Sequence, residues 1–168
     1  MDKPDDMEEL TFRSRISSQH IEDIKHITEY VKEDCQLPVW LIGTSRGTIS
    51  ATAAALAMKT DSLSGMVLTS SITSASTPGA VPSQNLAKIR IPVLVVHHED
   101  DKCRICDPNA VLDIMEGLSN SPIKKAIFVK GGGWTRGSTC GPWHRHGYVG
   151  IEEKVVALIS QWIQHPVL

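Results

Sequence analysis

Hydrophobic positions along the chain follow two spacings, one typical of helices and one typical of buried strands. After a charged, irregular segment at residues 1–16, apolar residues recur at helical spacing from Ser17 to Cys35, which predicts an amphipathic helix capped by Ser18. Pro38 ends this pattern, because the residue before a proline disfavours the helical conformation. The predicted buried stripe of this helix is Ile21, Ile24, Ile27 and Val31.

Four short apolar runs have the length of strands, and helix-like or loop-like segments separate them. The predicted strands are Val39–Ile42, Leu63–Ser70, Ile91–His97 and Ile123–Lys130, the first of them buried on both faces. Three helical segments follow the strands: Thr48–Met58, a segment that begins at Asp107-Pro108, and Ile151–Ile163. The apolar side of the second segment is Val111, Leu112, Met115 and Leu118. This alternation predicts an α/β fold over residues 17–168, a parallel sheet of about four strands flanked by helices.

Length, charge and terminal composition narrow the possible partners. The chain has 168 residues, which suggests one domain, and a formal net charge of −2, so no basic excess points to nucleic acid or an anionic membrane surface. Its apolar runs are too short to span a bilayer, and its acidic start, Met1-Asp-Lys-Pro-Asp-Asp, is unlike a signal peptide. We therefore expect neither a nucleic-acid nor a membrane partner.

The first candidate for chemistry is Gly43-Thr44-Ser45-Arg46-Gly47, which fits G-x-S-x-G between a predicted strand and a predicted helix. Such a turn is sharp, and glycines at both flanking positions avoid collisions with the serine. Ser45 Oγ would then stand clear of the sheet, with the backbone N–H of Arg46 beside it to bind an oxyanion. The alternative is an ordinary strand-to-helix turn in which Ser45 only caps the helix.

A serine nucleophile needs a base and a group that orients the base. Asp100 and Asp101 follow the third predicted strand, and His144 and His146 precede the last predicted helix. The resulting order Ser, Asp, His is that of the α/β-hydrolases. Each group alone also has a simpler interpretation, because acids are common in turns and histidines in surface loops.

Over Ser17–Ile163 the chain resembles the C-terminal half of an α/β-hydrolase. The run from His97 to Asp101 is similar to the family's H-G-x-x-D pattern, with His98 in place of glycine, and His146-Gly-Tyr matches H-G-[FY]. The resemblance implies that Ser45 is the nucleophile, Asp101 the orienting acid and His146 the base. Asp100 and His144 remain alternatives for the last two roles.

The resemblance is incomplete on the N-terminal side. A full family sheet has about eight strands, and its second oxyanion donor comes from a loop after an early strand. Only 44 residues precede Ser45 here, and Gly43 is the first glycine. We therefore expect a partial domain, a homo-oligomer or a missing N-terminal half covering the Val39–Ile42 edge. A non-catalytic remnant or interaction module is the alternative function.

If the acid and histidine loops meet as the resemblance implies, Cys103 and Cys140 become neighbours. A disulfide between them would close a loop of 37 residues (140 − 103) and would require an oxidising compartment. Free thiols, in a chain that is cytoplasmic by default, are the alternative. A zinc site built from Cys103, Cys106, Cys140 and nearby histidines is a further alternative, although C-x3-H-x-H is not a standard zinc spacing.

Taken together, the residues and the resemblance predict a carboxylesterase-like serine hydrolase. It would act on a small-molecule ester, thioester or amide through an acyl-serine intermediate, and this chemistry requires no metal and no cofactor.

Overall fold

The computed structural model describes residues 11–167, in which strands and α-helices alternate as predicted. The strands are β1 (Trp40–Thr44), β2 (Gly65–Thr69), β3 (Val93–His98) and β4 (Lys124–Val129). They form one sheet in the order β1-β2-β3-β4, and every neighbouring pair is parallel. The predicted α/β architecture with a four-stranded parallel sheet is therefore confirmed.

Helices cover both faces of this sheet. They are α1 (Ser18–Cys35), α2 (Arg46–Ala57), α3 (Val111–Gly117) and α4 (Glu152–Gln164). One hydrophobic cluster joins α2 and α3 to alternate residues of the central strands, and a second joins α4 to the residues between them. Helix α1 packs against α2, outside the sheet. The central strands β2 and β3 are buried along their whole length, which explains their nearly unbroken apolar sequences.

The two edges of the sheet differ in composition. On β4, Lys124 and Lys125 place charges on the outer strand, a common protection against edge-to-edge association. On β1 no residue is charged, and Ile42 is 56% exposed. The prediction of burial on both faces is therefore wrong for this strand, because α4 leaves the face that carries Ile42 open to a groove. A groove of about 580 Å³ lies between β1 and α4, lined partly by Ile42, Val156 and Ile159.

The helices differ from the sequence prediction at three points, one in a capping residue and two in which side chains are buried. Ser17, not Ser18, caps α1, and its hydroxyl accepts a hydrogen bond from the His20 N–H. In α1 the buried residue is Thr28, whereas Ile27 is 64% exposed, because α1 packs mainly against α2 and its other side faces solvent. In α3 the apolar side contains buried Ile114, and Leu112 is exposed.

The segment before α1 is more closely attached to the domain than a surface segment would be. Residues 1–10 lie outside the described range, but a 3₁₀ turn at Ser14–Ile16 packs against α2. The half-buried side chain of Phe12 contacts the cluster that contains Cys103 and Cys106. No helix within residues 11–167 has the length and apolarity needed to cross a membrane.

Candidate active site

Ser45 occupies a strained turn between β1 and α2. Its backbone has φ 52° and ψ −121°, a conformation that non-glycine residues rarely adopt and that is typical of functional sites. The turn is held by the Ser45 N–H, which donates to the Thr69 carbonyl at 3.0 Å. Ser45 stands in the cap position of α2, but its side chain makes no capping hydrogen bond. The simpler interpretation as a helix-capping serine is therefore not supported.

The two glycines of the turn have different roles. A Cβ at Gly43 would lie 2.5 Å from the Gly47 carbonyl oxygen and 2.9 Å from Thr48 Cα, so the close approach of strand and helix requires glycine there. A Cβ at Gly47 would meet no atom within 4 Å. The expectation that both glycines remove collisions is right for Gly43 and wrong for Gly47.

The structure brings Asp101 and His146 together. His146 Nδ1 lies 2.8 Å from Asp101 Oδ2, and both residues are buried. This contact places the imidazole hydrogen on Nδ1 and leaves Nε2 as the acceptor. Within the described residues, Nε2 is buried and has no hydrogen-bond partner. An unpaired acceptor of this kind is what a general base presents before it takes a proton.

Asp101 is held in its ionised form. Burial raises the pKa of this carboxyl, but hydrogen bonds from His146, His97 and the backbone N–H of Cys103 outweigh it, so the pKa falls to about 2. The alternatives are not placed in this way: Asp100 is exposed, and no ion pair or hydrogen bond joins it to His144 within residues 11–167.

Two residues that the sequence analysis did not assign to the site hold the backbone of His146. Ser70 Oγ donates to the His146 carbonyl at 2.7 Å. The hydroxyl of Tyr148 accepts from the Ser70 N–H at 3.1 Å and donates to the Val96 carbonyl at 2.8 Å. The buried ring of Tyr148 thus ties the histidine loop to β3. Its position two residues after His146 was the available signal.

His98 explains the departure from H-G-x-x-D. Its Nε2 lies 2.9 Å from the Gly131 carbonyl, and its Nδ1 accepts from the Asp100 N–H at 3.0 Å. A glycine could make neither bond. The imidazole therefore connects the end of β3 to the long loop that carries His146.

A disulfide joins the acid loop to the histidine loop. Cys103 and Cys140 are bonded, with their Cα atoms 4.5 Å apart. In the chain-entropy treatment, closing this 37-residue loop stabilises the fold by about 3–4 kcal/mol. With both thiols in the bond, the proposed zinc ligand set loses two thiolates. The remaining cluster of Cys103, Cys106 and His146 contains a disulfide sulfur, so its donors do not fit a zinc site.

Cys106 is a free, fully buried thiol beside the catalytic candidates. Its Sγ lies within 4.8 Å of a ring nitrogen of His146. Burial raises its pKa to about 12, the Asp101 charge acts in the same direction, and a hydrogen bond with the Ser45 side chain opposes both. Cys106 therefore stays protonated near neutral pH and is a neighbour of both Ser45 and His146.

The candidate oxyanion donor is the backbone N–H of Arg46, the first residue of α2. It lies where a helix N-terminus favours negative charge. The Arg46 guanidinium extends away to the Phe12 ring, 5.9 Å from its centroid. Between residues 11 and 39 the chain forms a 3₁₀ turn and α1 but no strand, so no strand-end loop supplies a second donor from this region.

Comparisons with known proteins bear on the fold. No family model matches the sequence, and no curated protein matches it significantly. Among solved structures, the chain is similar to the Paleococcus ferrophilus monoacylglycerol lipase, with TM-score 0.57 and 16% identity, covering 85% of this chain and 74% of the lipase. It is also similar to the esterase domain of a Rhodothermus marinus protein, with TM-score 0.56 and 12% identity over 94% of this chain and 82% of that one.

A third similar structure is the Pyrococcus horikoshii acylaminoacyl peptidase, with TM-score 0.54 and 12% identity. The match covers 91% of this chain but 28% of the peptidase. All three are hydrolases, and identities this low are evidence about the fold alone. Together with the parallel sheet and its flanking helices, they show that the chain has the α/β-hydrolase fold.

Proposed function

We propose that this chain is a serine hydrolase that cleaves a small ester, thioester or amide through an acyl-serine intermediate. The observation that carries the proposal is the strained Ser45, whose side chain does not cap its helix. It lies at the carboxyl end of the sheet, where the buried Asp101–His146 pair also lies. The carboxyl ends of parallel strands lie on the same side of a sheet, so Ser45 after β1 and Asp101 after β3 face the same crevice.

Each group has one role in the proposed reaction. Ser45 Oγ attacks the carbonyl carbon while its proton passes to His146 Nε2, and Asp101 stabilises the imidazolium through Nδ1. The Arg46 N–H donates to the oxyanion. The imidazolium then protonates the departing alcohol, thiol or amine. Water repeats the sequence against the acyl-serine, which releases the acid and restores Ser45.

Within the described residues His146 Nε2 has no hydrogen-bond partner, so no hydrogen bond joins it to the Ser45 hydroxyl. Reaction therefore requires the Ser45 hydroxyl and His146 Nε2 to come within hydrogen-bond distance of each other. Catalytic hydrogen bonds are often absent before substrate binds, so this arrangement is compatible with activity.

A fluorophosphonate probe, which phosphonylates activated serines, tests the proposal. We expect labelling of the wild-type chain and none of the Ser45→Ala variant. Cys106→Ala is the matched control, because it removes the neighbouring nucleophile and leaves the serine. Labelling that persists in Ser45→Ala contradicts the proposal.

The second candidate function, a non-catalytic interaction module, is favoured by a specific observation. Within residues 11–167 the outer edge of β1 is unpaired, and the backbone N–H of Arg46 is the one oxyanion donor that we propose from this part of the chain. Loss of one such donor costs about 10²–10³-fold in rate in other hydrolases. A chain that shows a cooperative unfolding transition but no probe labelling would support this function instead.

A further inference from the structure

A second histidine contacts the carboxylate of Asp101. His97, near the end of β3, places its Nε2 3.3 Å from Asp101 Oδ2, the oxygen that also bonds His146. We infer that His97 is a positioning residue that holds Asp101 in place for His146 and tunes how strongly Asp101 supports the base. This inference rests on the proposed hydrolase function.

The proton on His97 is assigned by its other contact. Nε2 also lies 3.0 Å from the Cys106 carbonyl oxygen. A carbonyl only accepts hydrogen bonds, so Nε2 must carry a hydrogen, which it shares between this oxygen and the carboxylate. The remaining carboxylate oxygen, Oδ1, accepts from the Cys103 N–H at 2.9 Å. Donors on both oxygens leave the Asp101 carboxylate one orientation.

His97 acts through Asp101 and not on a substrate. Its side chain is fully buried, and its Nδ1 has no hydrogen-bond partner within the described residues. The backbone around it is paired in the sheet, where His97 lies opposite Phe128 of β4. The donor is therefore carried by the buried strand β3, whereas Asp101 lies in a loop and His146 in a 3₁₀ turn at Arg145–Gly147.

The position of this donor has an electrostatic consequence. A hydrogen bond from His97 spreads the charge of the oxygen that also accepts from His146 Nδ1, and so weakens the stabilisation of the imidazolium. The Asp101 charge also acts on Cys106 on its own loop and on Tyr148 on the histidine loop, and Asp100 and Lys102 flank Asp101 in the chain. Burial raises the pKa of Cys106 and of Tyr148 to about 12, so both stay neutral through the range of activity.

Two substitutions separate positioning from space-filling. His97→Gln keeps a side-chain N–H of similar reach, whereas His97→Leu keeps an apolar volume and removes the donor. In His97→Leu we expect kcat/KM for a p-nitrophenyl ester to fall by about tenfold to a hundredfold. We also expect the acid limb of its pH profile to move upward by about half a pH unit to one unit, because Asp101 then holds the imidazolium more strongly. His97→Gln should restore most of both.

A readout that does not need turnover makes the test independent of the proposed function. In ¹⁵N-histidine-labelled protein, the Nδ1–H proton of His146 should change its chemical shift in His97→Leu and return in His97→Gln. A parallel loss of kcat/KM at every pH, with an unchanged His146 resonance, would overturn the inference and leave His97 as a packing residue. A different result separates the two claims. If the wild-type chain shows no hydrolysis, and the His146 resonance still changes in His97→Leu, the proposed function fails and the positioning role stands.

Discussion

The two sides of Ser45 differ in how completely the described chain builds them. On the β3 side, Asp101 and His146 are buried and hydrogen-bonded to each other, His97 contacts Asp101, and a disulfide ties their loops together. On the β1 side, Ile42 is exposed beside an open groove, and within residues 11–167 no strand pairs with the outer edge. The half proposed to move the proton is thus held together by its own contacts, whereas the half proposed to border the oxyanion has fewer supports.

The largest expected effect is on the proton-transfer side. His146→Gln should lower kcat for a p-nitrophenyl ester by about 10⁴–10⁶-fold, because Ser45 then has no base. The matched control is His144→Gln, which removes a loop imidazole two residues away and should leave kcat within about threefold. Similar losses in both variants would show that the loop, and not the His146 imidazole, matters.

On the other side of Ser45, alanine substitutions at the two glycines of the turn should have opposite effects on stability. Gly43→Ala forces a Cβ against the Gly47 carbonyl and should cost about 3 kcal/mol in the free energy of unfolding. Gly47→Ala adds a Cβ in open space on α2 and should stabilise the chain by about 0.5–1 kcal/mol. Urea denaturation measures both, and equal effects would contradict the geometry of the turn.

The depressed pKa of Asp101 predicts a pH-dependent contribution to stability. Because the folded pKa of about 2 lies below the ordinary carboxyl value of 3.8, ionised Asp101 stabilises the fold by about 2 kcal/mol above pH 4, and this contribution disappears as the pH falls towards 2. The difference in unfolding free energy between wild type and Asp101→Asn should shrink over that window. Exposed Asp100→Asn should show no such trend.

The smallest effect on folding is expected at the sheet edges. Ile42→Lys places a charge on the bare β1 edge and should reduce self-association at high concentration, with a change in unfolding free energy of at most about 0.5 kcal/mol. Phe128→Lys, on the β4 edge that already carries lysines, is the matched control and should change association little. If light scattering finds the wild-type chain monomeric at high concentration, the expected self-association through the β1 edge is contradicted.

The sequence predicted the features that depend on neighbouring residues. The four strands were visible as short apolar runs, and the glycine-serine turn was visible because Gly43 and Ser45 lie within one strand-to-helix junction. The resemblance added the pairing of Asp101 with His146. It left Asp100 and His144 open, because adjacent residues in a loop point in different directions that only the folded backbone determines.

Contacts among three separate loops could not be predicted in the same way. The place of Cys106 beside Ser45 and His146 follows from the meeting of the α2 start, the acid loop and the histidine loop. The contact of His97 with Asp101, four residues later, depends on the turn after β3, which folds the Asp101 side chain back towards the strand. Helical phase was wrong for Ile27 and Leu112, because the sequence pattern does not show which side of each helix meets its neighbours in the fold.

The central claim is that Ser45 becomes acylated with His146 as its base. The most direct measurement is to mix the chain with a p-nitrophenyl ester, quench with acid during turnover, and locate the acyl group by peptide mass mapping. We expect one acyl group on the peptide that carries Ser45, and a much lower yield of it in His146→Gln. An acyl group on Cys106, or none on a folded chain that still releases p-nitrophenol, would contradict the claim.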